Sequence, residues 1–231
     1  MPVLVKGWNA LAASDSYAFE FILVDDGSTD GTAAAAQREA SNIPLHVLKH
    51  SINLGPGKAF ATGFSFLTSR LHEGDIVVTM EGDNTSRTET MFTLLGRITR
   101  ENADVALASP YAYGGGFVHT NFFRIFLSHW ASFLTKLFLN IHGIHTFTSF
   151  FRAYKASAII QLQKKYGSAI LESPGFECMV ELLKKIILQG FSISEVPMRL
   201  DTSQRKGKSK MKVMKTMRGY FRVFRKAGQW K

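Results

Sequence analysis

Residues 19–39 read FEFILVDDGSTDGTAAAAQRE, and this stretch decides the fold class. The apolar run from Phe19 to Val24 predicts a buried strand, and the alanine-rich segment that ends the stretch predicts a helix. Open α/β sheets bind their ligands at the carboxyl ends of strands, which is where Asp25, Asp26 and Ser28 lie. These residues are therefore candidates to accept hydrogen bonds from a base or ribose. Capping of the helix that follows is the alternative interpretation of the same polar residues.

Strand-like and helix-like patterns alternate along the rest of the chain, which predicts helices packed on a mostly parallel sheet. Further strands are predicted at 45–48, 75–80, 103–109, 148–154 and 191–196. Further helices are predicted at 56–70, 88–100, 121–140 and 176–189. The helix at 121–140 is strongly apolar, but its uncharged window between Arg124 and Lys136 is shorter than the roughly 18 residues that span a bilayer. It is predicted to be either a core helix or a helix lying in a membrane interface.

Composition predicts a folded protein whose positive charge is concentrated at one end. Hydrophobic residues make up 45% of the 231 residues and charged residues 20%, as in globular domains. Cys178 is the single cysteine, which excludes an internal disulfide and a cysteine-based zinc site. Residues 199–231 hold 12 of the 28 Lys and Arg against one acid, Asp201, so the net charge of +10 arises there. We expect that segment to meet anionic lipid, nucleic acid or a diphosphate. The N-terminus shows no signal-peptide pattern, and with the near absence of cysteine this predicts a cytosolic protein.

A glycine-rich turn precedes the helix predicted at 56–70, and it contains Asn53, Gly55, Gly57 and Lys58. Free amides at a helix N-terminus and a nearby cation can bind an anion, and glycines let the backbone approach it closely. The turn is therefore a candidate phosphate site. An ordinary glycine-rich turn is the alternative.

Two carboxylates follow the strand predicted at 75–80. Glu81 and Asp83 stand at positions i and i+2, so their side chains leave the strand end on the same side. Hard oxygen ligands suit Mg²⁺ or Mn²⁺ that bridges a diphosphate leaving group. The sequence predicts a metal site at these two residues, with a solvated acidic turn, or helix capping by residues 84–86, as the alternatives.

Two charged motifs lie towards the C-terminus. The basic segment from Arg205 to Lys210 is predicted to be a mobile loop that closes over a diphosphate and neutralises it as the bond breaks, unless it is only a solvated charge run. Glu177 and Glu181 are four residues apart on one helix face. They are a candidate base or orienting pair, with ordinary surface acids as the alternative.

The chain ends in a pattern typical of an amphipathic helix. Met214, Met217, Phe221 and Phe224 recur at spacings of three and four within residues 208–226, and basic residues fall on the flanks. We expect this helix to lie on an anionic membrane. A helix docked on the protein's own core, or one leading into a membrane span, is the alternative.

Five segments in this order resemble family 2 glycosyltransferases, in particular the branch of dolichyl- and polyprenyl-phosphate glycosyltransferases. They are Val24-Asp25-Asp26-Gly27-Ser28, Asn53-Leu54-Gly55-Pro56-Gly57-Lys58, Glu81-Gly82-Asp83, Thr148-Ser149-Phe150-Phe151-Arg152-Ala153-Tyr154 and Arg205-Lys206-Gly207-Lys208-Ser209-Lys210-Met211. The resemblance implies the A-type glycosyltransferase fold, a nucleotide-sugar donor, a divalent metal (Mn²⁺ or Mg²⁺) and inversion at the anomeric carbon. By this resemblance, Asp26 contacts the nucleotide base, Asp83 binds the metal and Arg205 contacts the diphosphate. The resemblance also adds Arg152 and Lys210 to the binding residues.

The chain departs from the family pattern in several places. The sequence pattern predicts that the family's first strand is missing, because residues 1–18 read mainly as the helix that normally follows it. Glu81 replaces the usual first Asp of the metal motif. Residues 108–111 lack the arginine of the phosphate-acceptor enzymes, for which Arg152, His119 or His145 are candidate substitutes. Thr146 stands where an Asp is common.

These observations predict a catalytic domain at residues 1–200 and a basic loop with a membrane-proximal helix at residues 201–231. The expected function is transfer of a sugar from a UDP- or GDP-sugar to a polyprenyl phosphate or another membrane-associated acceptor, at the cytoplasmic face of a membrane and without a nucleic-acid partner. A non-catalytic basic module that binds membranes or nucleic acid is the alternative.

Overall fold

The computed structural model describes residues 17–40, 43–83, 85, 87–120, 122–204 and 213–230. Eight strands are present in the described residues: β1 (Phe21–Asp25), β2 (Leu45–Lys49), β3 (Ile76–Thr79), β4 (Val105–Ser109), β5 (Gly116–Val118), β6 (Arg152–Lys155), β7 (Ile193–Pro197) and β8 (Arg199–Asp201). Seven α-helices are present in the same part of the chain: α1 (Thr32–Glu39), α2 (Pro56–Thr68), α3 (Thr88–Thr99), α4 (Phe122–Leu139), α5 (Ala156–Tyr166), α6 (Cys178–Leu188) and α7 (Val213–Lys226).

The strands form three hydrogen-bonded groups. The largest has the order β3-β6-β4-β7, while β1 pairs with β2 and β5 pairs with β8. The pairs β1–β2, β4–β7 and β5–β8 are parallel, and β6 runs antiparallel to both of its neighbours. Because β6 is antiparallel to both β3 and β4, and β7 is parallel to β4, the strands β3, β4 and β7 all run in the same direction and end at one edge of the sheet.

Helices cover both faces of the central sheet, because each strand alternates its side chains between two cores. In β4, Val105 and Leu107 enter the larger core, whereas Ala106 and Ala108 face the smaller one. Helices α2, α5 and α6 supply most of the larger core, and α3 packs on the opposite face. This layered arrangement is that of α/β proteins and confirms the predicted fold class.

The C-terminal helix α7 docks on the larger core by one side. Val223 is buried there, as are Ala227 and Trp230 just beyond the helix. Gly219 lies against the carboxylate of Glu177, so a β-carbon at this position would come within 2.3 Å of its Cδ. The glycine in mid-helix, which weakens helix propensity, therefore makes room for a buried side chain.

The structure differs from the sequence-based expectation in several elements. The strand predicted at 148–154 is confined to Arg152–Lys155, and it runs antiparallel. Helix α5 was not predicted, because it follows β6 without an intervening turn residue. Strands β5 and β8, with three residues each, were missed as well. Among the described helices, none combines the length and the apolar character needed to cross a bilayer.

Candidate active site

Asp26 ties the end of β1 to the glycine-rich turn. Its Oδ1 accepts the amide of Leu54 at 2.8 Å, and its Oδ2 accepts the amide of Gly55 at 2.8 Å. His50 donates from Nδ1 to the same carboxylate at 2.7 Å. Asn53 completes the connection by donating from Nδ2 to the carbonyl oxygen of Asp26 at 3.2 Å. Asp26 is therefore a fixed, partly buried anion at the edge where we expect a nucleotide.

The other acids of this loop have local tasks. Asp25 is buried, and its Oδ1 accepts the amide of Ser28 at 2.9 Å. In the first turn of α1 it is Asp30 that binds a backbone amide, because its Oδ1 accepts the amide of Thr32. Since neither Asp25 nor Asp26 contacts that helix end, the capping interpretation of these two residues is wrong.

The amides of the glycine-rich turn are occupied, so the expectation of free amides there is wrong. Gly55 donates to Asp26, and Gly57 donates to the carbonyl oxygen of Pro174 at 2.9 Å. Both glycines face the protein's own backbone, since a β-carbon on Gly57 would lie 1.8 Å from the oxygen of Ser173. Lys58 is exposed on the first turn of α2. The glycines thus permit the turn to pack on residues 173–174 rather than on a ligand.

We expect Gly57→Ala to destabilise the protein by about 1–3 kcal/mol, the usual cost of overpacking, because the clashing atom belongs to backbone. The displaced turn should also weaken nucleotide binding through Asp26. Gly63→Ala is the matched control on the same helix, where the added carbon would meet only Val24 at 3.5 Å. Urea unfolding of both variants checks the prediction, and equal stability losses would contradict it.

The predicted metal motif, Glu81 to Asp83, begins two residues after β3 ends. Asp83 is held by its neighbour, because its Oδ1 accepts the amide of Thr85 at 3.1 Å and the hydroxyl of Thr85 at 2.6 Å. Thr85 is buried, and Glu81 and Asp83 are half-buried, so a fully solvated acidic turn is not what the structure contains. In the described part of the chain no three His, Cys, Asp or Glu form a group suited to a metal by themselves. One or two carboxylates completed by phosphates and water are the usual magnesium site, so the residues fit such an ion.

A row of residues across the sheet connects this motif with the loop before β6. Thr79 and Leu107 both lie opposite Arg152, and Glu195 lies opposite Leu107. Glu195 accepts the amides of His145 at 2.9 Å and of Thr146 at 2.8 Å, and His145 also donates from Nδ1 at 2.8 Å. The residues that follow β3 and β4 therefore share one edge with the loop that contains His145.

Arg152 does not face this edge, and its predicted role in binding is wrong. The side chain is fully buried, and its guanidinium donates to the carbonyl oxygens of Ser149, Met179 and Phe147 at 2.7–3.2 Å. These bonds fix the loop before β6 against α6. Arg152 therefore cannot replace the missing acceptor arginine without unfolding this region.

Glu177 and Glu181 are buried, so the interpretation as ordinary surface acids is wrong. Glu181 accepts the amides of Glu172 at 2.9 Å and Ser173 at 2.8 Å, and it pairs with the fully buried Lys185. Glu177 accepts the amide of Gly175 and lies under α7. Their contacts make them structural supports of the loop that packs on the glycine-rich turn, and this position does not suit Glu177 as a general base.

Burial also shifts the pKa values of two groups near Glu177, the Cys178 thiol and the Tyr220 hydroxyl. It raises the pKa of the Cys178 thiol well above its ordinary range, and it raises the pKa of Tyr220 in the same way. The single cysteine is therefore protonated and inert at neutral pH.

Hydrogen bonds hold Asp201 in place, four residues before Arg205. The hydroxyl and amide of Ser203, together with His119, hold the pKa of Asp201 down to about 2. His119 thus contacts Asp201 at the end of β8. Arg205 and Lys210 lie outside the described residues. Residues 1–16 do so as well, and the prediction that the family's first strand is missing falls on them.

Three residues of this region were not predicted from the sequence. His50 is a contact of Asp26, Glu195 holds the loop at His145, and Lys185 pairs with Glu181. The role of Glu195 could have been predicted, because it is the single charged residue in the strand predicted at 191–196.

The fold is that of the A-type glycosyltransferases. A crystal structure of glucosyl-3-phosphoglycerate synthase from Mycobacterium tuberculosis superposes on 96% of this chain and 72% of its own, with a TM-score of 0.62 and 15% identity. A structure of that enzyme with Mn²⁺ and UDP-glucose gives a TM-score of 0.60 over 95% of this chain and 71% of its own.

Sequence similarity defines the family more closely. The profile of "Glycosyl transferase family 2" matches residues 2–163, and the chain belongs to this family. It is 31% identical to polyprenol monophosphomannose synthase of Mycolicibacterium smegmatis, over 87% of this chain and 74% of that protein. It is 28% identical to undecaprenyl-phosphate mannosyltransferase of Micrococcus luteus, over 83% of this chain and 75% of that protein. The branch predicted from the sequence motifs is thereby confirmed.

Proposed function

We propose that this protein transfers a hexosyl group from a GDP- or UDP-sugar to a polyprenyl phosphate, with inversion at the anomeric carbon. The observation that carries the proposal is the position of Asp83, a carboxylate fixed by Thr85 directly beyond β3, at the edge where strands of such sheets bind nucleotides. The names of the similar proteins support the acceptor and make mannose the first sugar to test.

The chemistry requires little from the protein besides position and charge. An oxygen of the acceptor phosphate attacks the anomeric carbon, the bond to the nucleoside diphosphate breaks, and the diphosphate leaves with the electron pair. The acceptor oxygen is already ionised, so no general base is needed. Mg²⁺ or Mn²⁺ held by Glu81 and Asp83 would neutralise the charge that grows on the leaving diphosphate.

The described residues divide the remaining tasks between them. The turn fixed by Asp26 shapes the edge for the nucleotide, and the loop fixed by Glu195 shapes the side where the acceptor enters. Arg205 and Lys210 are proposed to contact the diphosphate. A screen of UDP- and GDP-sugars for metal-dependent release of UDP or GDP tests the proposal, since a non-catalytic basic module would release neither.

We further propose that α4 and α7 form one membrane-binding face. Phe138 of α4 stacks on Phe224 of α7 with ring centroids 5.0 Å apart, so the two helices are in contact. The large apolar side chains exposed on them are Phe126, Trp130, Phe133, Leu137, Phe138, Met214, Met217 and Phe221. An exposed apolar patch of this kind marks an interaction surface. Arg218, Arg222 and Arg225 are exposed on α7, where they can reach anionic headgroups.

Trp130→Ser combined with Phe221→Ser should lower binding to vesicles of phosphatidylcholine and phosphatidylglycerol at least tenfold, because burial of one such side chain contributes about 1.5–3 kcal/mol. Binding of the unaltered chain should also weaken as salt screens the arginines. Flotation measures both effects. Ile160→Ser, at another exposed apolar position, is the control, and equal flotation of all three proteins would contradict the assignment of this face.

A further inference from the structure

A cavity of about 490 Å³ lies under α4, beside the loop that follows β4. Its lining combines cationic or donating groups with aromatic rings, among them Tyr111, Phe117, His129, Phe133, Lys136 and His145. The volume lies in the range of about 300–1,000 Å³ that small-molecule sites occupy. The cavity is therefore large enough for a ligand that has both a polar and an apolar part.

The polar groups of the cavity select an anion. Lys136 supplies a positive charge, the two histidines supply ring nitrogens, and no carboxylate is among the described lining residues. The nearby acid Glu195 is already occupied, since it accepts from His145 Nδ1 and from two backbone amides. A phosphate monoester suits this combination, because it accepts several hydrogen bonds and is attracted to the ammonium group.

Most of the remaining wall is formed by aromatic rings that pack on one another. The ring of Tyr111 packs on Phe117 and on His129, with centroids 5.3 Å and 4.9 Å apart, and its hydroxyl hydrogen-bonds to Ser128. Burial raises the pKa of Tyr111, which keeps the hydroxyl neutral. Phe133 forms part of the wall and is also exposed on α4. The cavity is thus continuous with the aromatic face that we assign to the membrane.

The cavity also lies beside the sheet edge at which Asp83 stands, where we propose that the nucleotide-sugar binds. Tyr111 follows the end of β4, and His145 is held by Glu195 in the row that includes Thr79, four residues before Asp83. A molecule with its phosphate at Lys136 and its chain along Phe133 would run from this edge towards a lipid phase.

We infer that this cavity binds the phosphate and the first prenyl unit of a prenyl phosphate, with Lys136 and His129 as phosphate-binding residues. The inference rests on the proposed function for the identity of the lipid, and it adds the place where the acceptor is held. Neither residue belongs to the segments that define the family motifs.

Calorimetric titration of the full chain with farnesyl phosphate, without donor or metal, tests the inference. Lys136→Ala and His129→Gln should each weaken binding about tenfold or more, as expected when a hydrogen bond to a charged group is lost. Lys136→Arg should retain it. Lys164→Ala is the matched control, because it removes the same charge from an exposed position on α5. Farnesol and inorganic phosphate should each bind more weakly than farnesyl phosphate.

Equal affinity of the Lys136→Ala variant and the unaltered chain, or an equal loss in the Lys164→Ala control, would overturn the inference. Inorganic phosphate binding as tightly as farnesyl phosphate would show a free-phosphate site and overturn it as well. Sugar transfer is assayed separately. Farnesyl phosphate binding that depends on Lys136, without transfer from any donor, would refute the proposed function and leave the cavity assignment standing.

Discussion

Replacing Asp83 by asparagine is expected to lower turnover about 100-fold or more and to remove the effect of Mn²⁺ on nucleotide affinity. The carboxylate stands beyond β3 with one oxygen fixed by Thr85, and asparagine keeps the shape but loses the charge. Loss of one preorganised electrostatic contact to a leaving group usually costs 10²–10³ in turnover. The midpoint of thermal unfolding in the absence of metal should change little, because the side chain contributes little to the core.

Glu73→Gln provides the control for this variant. Glu73 is an exposed acid in the loop before β3, so the substitution changes the net charge equally. Thermal shifts with GDP or UDP, measured with and without Mn²⁺, report binding independently of activity. A manganese-dependent shift in Asp83→Asn equal to that of the parent would remove Asp83 from the proposed site.

Replacing Lys185 by methionine is expected to destabilise the protein by about 3–5 kcal/mol, because it leaves Glu181 buried without its counter-charge. Both side chains are fully buried and paired with each other. Lys185 also donates to the carbonyl oxygens of Ala169 and Ile170, and its ammonium lies 4.8 Å from the ring of Trp230. The substitution should therefore loosen the contact of the C-terminal segment as well as the loop at residues 169–173.

Two further variants separate charge from packing at this site. The double replacement of Glu181 by leucine and Lys185 by methionine should recover part of the lost stability, since it removes both buried charges together. Lys184→Met is the neighbouring control, and its ammonium contacts one carbonyl oxygen from a half-buried position. Urea unfolding gives the free energies, and a loss below 1 kcal/mol for Lys185→Met would show that the pair is not an important support.

Periodicity was sufficient to predict most of the fold, since the apolar runs that became β1, β2, β3 and β4 are bounded by clear turn signals. It was insufficient where an element has no boundary of its own. Ala156 begins a helix directly after the strand residue Lys155. The three-residue strands β5 and β8 pair across 83 positions, which no local pattern can indicate.

The site shows the same division between local and distant contacts. Asp83 and Thr85 are two residues apart, so a carboxylate fixed at the strand end was predictable from spacing. The partners of Asp26 are 24 to 29 residues away, and those of Arg152 include Met179, so their bonds depend on how the helices pack. The sequence indicated that the glycines at 55 and 57 permit close approach. It did not indicate that the approaching group is the backbone at residues 173–174.

The most direct measurement is a transfer assay with radiolabelled GDP-mannose and, in parallel, a panel of UDP- and GDP-sugars, polyprenyl phosphate in vesicles, and Mn²⁺ or chelator. We predict that one donor yields a lipid-linked sugar only when metal is present, and that the product has the opposite anomeric configuration to the donor. Absence of any lipid-linked sugar from every donor, in a chain that floats with the vesicles and binds farnesyl phosphate, would contradict the account.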